Sequence, residues 1–359
     1  MDANTPADAF EFAGFRALRL ADSLVGEPAA RRILSKPYPG VPDRIRDWER
    51  TGRLTVDAEP FLYVHEYTSH GVIVRGLVGT AALSSSRRRI HPHESVDAAQ
   101  VEQLIDRMGT TGLNPAPLLL MHHGPEAVRD ALTAVTALPP DFVYTDRADQ
   151  LHRLWQIGAG EQQELITGAL GDAHLVIADG HHRFAAAQEL QRRHPGTDWD
   201  QTMVMVIDQH DTPLQLGAVH RTIARLDLDT VARTAEMVDA TWELTDSSHR
   251  ALARLDRALV FHDGSRWGVL EPRRRRGLLV SWLHDELIPA WGVDPTAVRH
   301  HHSASSAMAR AAMATSILLP APSFADVAAS ARSGHLLPHK ATSFQPKPHA
   351  GVLMRKIHA

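Results

Sequence analysis

Five consecutive residues, Asp179-Gly180-His181-His182-Arg183, put a carboxylate, a glycine, two imidazoles and a guanidinium side by side. Before them, His174–Ala178 (HLVIA) reads as a buried strand. After them, the Ala-rich run from His182 to Arg193 reads as a helix that Pro195-Gly196 stops. The polar residues therefore fall where a strand ends and a helix begins. A helix start has backbone N–H groups with no intrahelical partner and a partial positive charge, which together attract an anion. Gly180 would let a ligand approach the backbone closely. Arg183 offers a fork that matches phosphate, and the two histidines offer donors whose charge changes near neutral pH. Asp179 would repel an anion, so it suits either a bound Mg²⁺ or a proton-transfer task. A plain Asp-Gly turn with a histidine-capped helix is the architectural alternative; the coincidence of strand, glycine, cations and helix favours the anion site.

Other groups extend this chemistry. His91-Pro92-His93-Glu94 precedes a helix that opens near Ser95. His91 and His93 alternate, so on a strand they face one way, and with His181 and His182 they could form a nitrogen-rich zinc or iron site. Lys340 and Lys347 lie in a Pro-flanked stretch with Thr342 and Ser343. That stretch is either a solvated loop or a segment that closes over phosphates and neutralises their charge. His220-Arg221 follows an apolar strand, as a second basic contact or a satisfied edge pair. Arg87–Arg89 and Arg273–Arg276 read as exposed turns, without the interleaved aromatics of a nucleic-acid platform. The sequence has no G-x-x-x-x-G-K-[ST], G-x-G-x-x-G or G-x-S-x-G, which disfavours P-loop, Rossmann and α/β-hydrolase mechanisms.

These motifs, in this order, resemble the domain-of-unknown-function family 1015. The shared features are Ile177-Ala178-Asp179-Gly180-His181-His182-Arg183-Phe184, the upstream His93-Glu94, Asn114-Pro115-Ala116-Pro117, His220-Arg221, and Pro338-His339-Lys340-Ala341-Thr342-Ser343-Phe344-Gln345-Pro346-Lys347 with Gly351 after it. The resemblance runs from about Pro37 to the end. Ala341 stands where a serine is usual, and Pro37-Tyr38 is followed by Pro39-Gly40 where an aspartate is usual. The Asp-Gly-His-His-Arg motif is similar to that of free-serine kinases of the ParB/sulfiredoxin-like fold, where it cradles nucleotide phosphates and an upstream glutamate is the base. The resemblance implies that Gly180, His181, His182 and Arg183 hold phosphate, with Lys340 and Lys347 assisting. It implies Glu94 as base and Asp179 near Mg²⁺ bound through the phosphates of ATP or ADP. The function expected is phosphoryl transfer to a hydroxyl of a small molecule, free serine first. A nucleotide-gated ParB-like protein and a His-rich metallohydrolase are the alternatives.

Positioning these groups needs alternating strands and helices. Phe61–Thr68 and Val72–Leu83 read as a hairpin about Ser69-His70-Gly71. Val101, Leu104, Ile105 and Met108 give the helix from Val96 its apolar face. Leu118–Met121, Met203–Ile207, Leu214–Val219, Leu259–His262, Trp267–Leu270, Ile317–Leu319 and Val352–Ile357 read as strands. Glu126–Leu138, Gln162–Leu170, Val231–Val238, Leu278–Leu287 and a run from Phe324 to Gly334 read as helices. The pattern gives the fold class α+β, and the resemblance implies a ParB/sulfiredoxin-like core over residues 1–225, followed by an α/β segment over 226–359 that ends in the lysine-bearing stretch. The chain has 359 residues, 38 Lys+Arg against 42 Asp+Glu, and no cysteine. That excludes thiolate metal sites, disulfides and a Cys nucleophile, and the net charge of −4 argues against nucleic acid as partner. With 23 histidines, adjacent pairs arise by chance, so a His-based site needs further support. The acidic first twelve residues do not resemble a signal peptide and no apolar run suggests a membrane span, so a cytoplasmic enzyme with nucleotide and small-molecule partners is expected.

Overall fold

Residues 9–35, 40–274, 277–311 and 313–358 are described by a computed structural model. Pro37-Tyr38-Pro39 and the end of the Arg273–Arg276 cluster lie outside them. The chain forms two units. The first holds residues up to Pro92, Val96–Leu214 and Pro346–Ala359; the second holds His93–Ser95 and Gln215–Gln345. Each is a mixed α and β structure with its own apolar core.

The first unit is built on a nine-stranded sheet. The strands of this sheet and the helices that follow them are, in chain order, β1 (Phe12–Ala13), β2 (Leu62–Ser69), β3 (Val72–Ala82), β4 (Ile90–His91), α1 (Ala98–Thr111), β5 (Leu118–His122), α2 (Glu126–Thr136), β6 (Phe142–Thr145), β7 (Leu151–Ile157), α3 (Glu161–Leu170), β8 (Leu175–Asp179), α4 (His181–Arg193) and β9 (Gln201–Asp208). The strand order is β4-β8-β5-β9-β3-β2-β7-β6, with β1 on β3. β8 runs parallel to β4 and antiparallel to β5, and β9 runs parallel to β5. Central strands such as β5 and β9 are buried almost throughout, which explains their continuous apolar runs. The β2–β3 hairpin forms as the two β-rich runs about Ser69-His70-Gly71 predict.

The helix expected from Val96 begins later, at Ala98, and Asp97 rather than Ser95 is its N-cap: Asp97 accepts from the Gln100 N–H at 2.8 Å. Ser95 lies outside the helix, and its N–H donates to the Leu337 carbonyl at 3.0 Å. Ile105 and Met108 are buried as the periodicity requires, with Val101 and Leu104 packed beside them.

In the second unit, β10 (Gln215–Ala218), β11 (His220–Ile223), α5 (Leu228–Met237), β12 (Ala240–Thr245), β13 (Leu259–His262), β14 (Trp267–Pro272), β15 (Arg299–His301), β16 (Thr315–Leu318), α6 (Phe324–Ser333) and β17 (Thr342–Gln345) are the main elements. Its larger sheet has the order β12-β14-β13-β16-β11-β15, while β10 and β17 pair as a separate ribbon. The helix expected over Leu278–Leu287 is α-helical only over Leu279–Trp282, then widens to a π turn over Leu283–Leu287. Pro289 follows and cannot donate to the carbonyl of Asp285, which removes the bond that would keep that turn α-helical.

The junction between β8 and α4 shows the tightest local demand. The register of β8 on β5 shifts between Ile177 and Asp179, and the chain turns at Gly180 with φ +105°. A Cβ there would sit 2.7 Å from Leu118 Cδ2 and 3.0 Å from Arg183 Nη2. Gly180→Ala is therefore expected to cost about 1–3 kcal/mol in chemical denaturation. A variant within about 0.5 kcal/mol of the parent, the range of a neutral surface change, would contradict this reading of the turn.

Candidate active site

In the first unit the site is the start of α4. The first intrahelical bond runs from Phe184 N–H to the Gly180 carbonyl at 2.8 Å, so the N–H groups of residues 181–183 precede the helix ladder. His181, Phe184, Ala186, Ala187 and Leu190 are buried and fix the helix on the sheet. Asp179, the last residue of β8, lies between two cations. Its Oδ2 accepts from Arg183 Nη2 at 2.6 Å, and its Oδ1 pairs with Lys347 Nζ. Burial alone would raise the Asp179 pKa, but Arg183 and then Lys347 outweigh it and hold the carboxyl below the usual aspartate range. One carboxylate against two cations leaves this cluster net positive at a helix N-terminus, where both effects favour an anion.

Arg183 does not stand clear for a ligand, as the expected phosphate grip would need. Its Nη1 donates to the Ala116 and Pro117 carbonyls, each at 2.8 Å, so the Asn114–Pro117 motif serves to hold this guanidinium. His182 is also engaged: its Nε2 accepts the Asp97 N–H at 3.0 Å, which ties the start of α4 to that of α1. Lys347 is the more exposed cation, with 42% of its side chain accessible. The segment carrying it is strapped to the first unit. Tyr67 Oη donates to the Pro346 carbonyl at 2.8 Å and Gln150 Nε2 to the Lys347 carbonyl at 3.1 Å.

Direct ligation of magnesium by Asp179, as distinct from an ion held near it through nucleotide phosphates, does not fit this arrangement. Both carboxylate oxygens are occupied by cations, and a divalent ion would have to displace one of them.

In the second unit the expected base is held tightly. The His93–Ser95 segment pairs with Leu337. Glu94 Oε1 accepts from the Thr342 N–H at 2.8 Å and from Thr342 Oγ1 at 2.6 Å. Because the Thr342 hydroxyl donates its hydrogen bond to Glu94, its oxygen faces His93 Nε2 at 2.9 Å as acceptor. Two motifs far apart in sequence, His-Glu and Lys-Ala-Thr, thus form one hydrogen-bonded unit. Burial raises the Glu94 pKa above the usual glutamate range, against the opposing hydrogen bonds of Thr342 and the charge of Arg221.

Of the two readings of His220-Arg221, the structure has the satisfied pair. Arg221 is fully buried and donates to the Val219 carbonyl at 2.7 Å, the Lys340 carbonyl at 3.0 Å and His284 Nε2 at 3.1 Å. His220 Nδ1 accepts the Leu319 N–H at 3.1 Å, and burial, then Arg221, pushes its pKa down to about 4. Lys340 lines a cavity of about 710 Å³ with Thr222, Arg299, His300 and Arg310.

The four-histidine metal set is not formed as expected. His91 Nε2 meets His174 Nδ1 at 2.9 Å, whereas His93 turns to Thr342. Among the described residues, the side chains that converge as a metal site would are Asp146, His152 and His349. Sequence reading missed them because β6 and β7 were not recognised, and the three residues span about two hundred positions.

With this geometry in hand, the chain can be placed among known proteins. Residues 15–289 match the family described as "Protein of unknown function (DUF1015)". The chain belongs to this family. No curated protein matches the DUF1015 chain in sequence. Solved structures similar to it include a free serine kinase in complex with AMP (16% identity, 75% of this chain and 88% of that chain covered, TM-score 0.43). A conserved hypothetical protein from Pyrococcus furiosus has 16% identity, 75% and 92% coverage and a TM-score of 0.41. SbnI with a C-terminal truncation, from Staphylococcus aureus, has 10% identity, 74% and 82% coverage and a TM-score of 0.42. No described helix is long and apolar enough to cross a membrane.

The charge cluster predicts a pH signature. Because the folded-state pKa of Asp179 is depressed, its contribution to stability is complete above its unfolded value of about 4 and is lost as pH falls through the lower folded value. Asp179→Asn should therefore unfold at lower denaturant than the parent at neutral pH, with the gap closing below about pH 4. A gap that stays constant or widens in acid would contradict the ion-pair assignment.

Proposed function

We propose that this DUF1015 chain is a small-molecule kinase, with ParB/sulfiredoxin-like architecture around the nucleotide site, acting in the cytoplasm. The observation that carries the reading is the net-positive Asp179–Arg183–Lys347 cluster at the start of α4. The nucleotide, ATP or ADP, places its phosphates on the N–H groups of residues 180–183. Lys347 exchanges part of its contact with Asp179 for a phosphate oxygen. Asp179 and the two carbonyls keep Arg183 fixed, so the guanidinium contributes charge without moving. His181 and His182 line the helix start. Asp179 serves as the counter-charge that holds two cations in one place; no magnesium ligand is assigned to it.

Glu94 is the proposed base. Its raised pKa brings it nearer to the value a proton acceptor needs at neutral pH, and Thr342, backed by His93, fixes its orientation. In the reaction, Glu94 takes the proton from the substrate hydroxyl. The hydroxyl oxygen bonds to the terminal phosphorus, and the bond from that phosphorus to its bridging oxygen breaks, its electron pair leaving with the shortened nucleotide. The acceptor is a free hydroxy amino acid, serine first, and Lys340 assists in holding phosphate. Arg221 is the buried brace of that region.

Incubation with free amino acids and labelled ATP or ADP tests this. Phosphorylated serine is expected, and Glu94→Gln should slow turnover by about 10²–10⁴-fold while leaving nucleotide affinity nearly unchanged. Lys347→Met should instead weaken nucleotide binding in calorimetry by about 1.5–3 kcal/mol, the range for a charge-assisted contact. Unchanged turnover in Glu94→Gln would remove the base, and unchanged affinity in Lys347→Met would remove the phosphate site.

A further inference from the structure

Asp146, His152 and His349 form a cluster that the kinase reading does not use. They come from the β6–β7 turn, from β7 and from the C-terminal segment, and their nearest ligand atoms all lie within 4.8 Å of one another. Asp146 Oδ2 is 3.2 Å from His152 Nε2 and also contacts His349 Nδ1. Asp146 and His152 are fully buried, and His349, 23% exposed, closes the outer side.

We infer that Asp146, His152 and His349 bind a divalent first-row transition ion, with zinc as the occupant, and that this ion anchors the segment that carries Lys347. Three features support a metal centre. The first is donor type: two imidazoles and one carboxylate suit zinc and its neighbours, and hard-ion sites for magnesium or calcium use oxygen throughout. The second is spacing: two ligands on a tetrahedral zinc, with bonds of about 2.0–2.1 Å, stand about 3.3 Å apart, close to the 3.2 Å between Asp146 and His152.

The third is the way each ligand is itself oriented. Asp146 Oδ1 accepts the Ala148 N–H at 2.8 Å and the Gln150 N–H at 3.0 Å, leaving Oδ2 to face the two rings. His152 Nδ1 meets His65 Nε2 at 3.0 Å, and His65 is buried on β2. The His349 N–H donates to Gln150 Oε1 at 3.0 Å. Partners of this kind fix ring orientation and raise ligand basicity at metal centres. Three protein ligands leave a fourth position for water. Gln150 also holds the Lys347 carbonyl, so an ion on His349 would restrain the backbone on which Lys347 reaches Asp179.

The test uses the full-length, tag-free chain after chelator treatment and desalting. Zn²⁺ is titrated against a chromophoric chelator, Co²⁺ uptake is followed by its visible absorption, and thermal unfolding is recorded with and without Zn²⁺. One tight Zn²⁺ per chain is expected, with a four-coordinate Co²⁺ spectrum and a higher unfolding midpoint on loading. His349→Ala, at the most exposed ligand, should weaken Zn²⁺ binding at least tenfold and abolish the shift in midpoint. Asp146→Asn, which keeps an oxygen for the Ala148 and Gln150 N–H groups, should do the same. His358→Ala, at an exposed pair with Asp198, should leave uptake unchanged and so controls for surface histidines. The proposal is overturned if the parent takes up no stoichiometric Zn²⁺, if His349→Ala binds it equally well, or if His358→Ala lowers uptake as much. None of these readouts depends on nucleotide or turnover, so the outcome is separate from that of the kinase reading.

Discussion

The first unit's site depends on one carboxylate held between two cations. Asp179 ends a buried strand, where burial by itself would favour the neutral acid, and it stays ionised because Arg183 and Lys347 face its two oxygens. Much of the surrounding structure follows from that constraint. Gly180 must take a left-handed turn so that α4 can start immediately and place Arg183, four residues on, against Asp179. Ala116 and Pro117 must present their carbonyls to the same guanidinium. The C-terminal segment must return to the first unit so that Lys347 can reach the carboxylate, which is why Tyr67 and Gln150 hold its backbone. Motifs that look independent in sequence are the two sides of single interactions.

The second unit repeats this economy with a different chemistry. Glu94 is buried and its pKa is pushed up, yet Thr342 gives it two hydrogen bonds from one residue. Such a carboxylate is oriented and only partly stabilised in its charged form, a state suited to accepting a proton. Arg221 shows the opposite solution. Its charge is buried, and its donors end on three carbonyls and a histidine, so it stiffens the region and offers nothing to solvent.

Much of this was legible in sequence. The β2–β3 hairpin, the strand and helix on either side of Asp179-Gly180, and the face of α1 followed from periodicity and from glycine and proline positions. The pairing of His-Glu with the lysine-bearing stretch could be suspected only from a family resemblance, because hydrogen bonds between residues about 250 positions apart leave no local signal. The sequence suggests Arg183 as an anion grip and leaves Arg221 open between a basic contact and a satisfied pair, since it shows a guanidinium but not the carbonyls that take its donors. The Asp146–His152–His349 cluster was invisible for a related reason: β6 and β7 carry mixed patterns, with His152 and Arg153 in the middle of β7. Its ligands come together only through the antiparallel pairing of those strands and the return of the C-terminal segment.

The central claim is that the start of α4, with Lys347 beside it, holds the phosphates of a nucleotide. Amide hydrogen exchange on the full chain, with and without ADP, tests it most directly. Slowed exchange is predicted at residues 181–183 and in the segment around Lys347, because phosphate would occupy those N–H groups and fix that backbone. ADP-dependent protection confined to other parts of the chain, with this junction unchanged, would contradict the account.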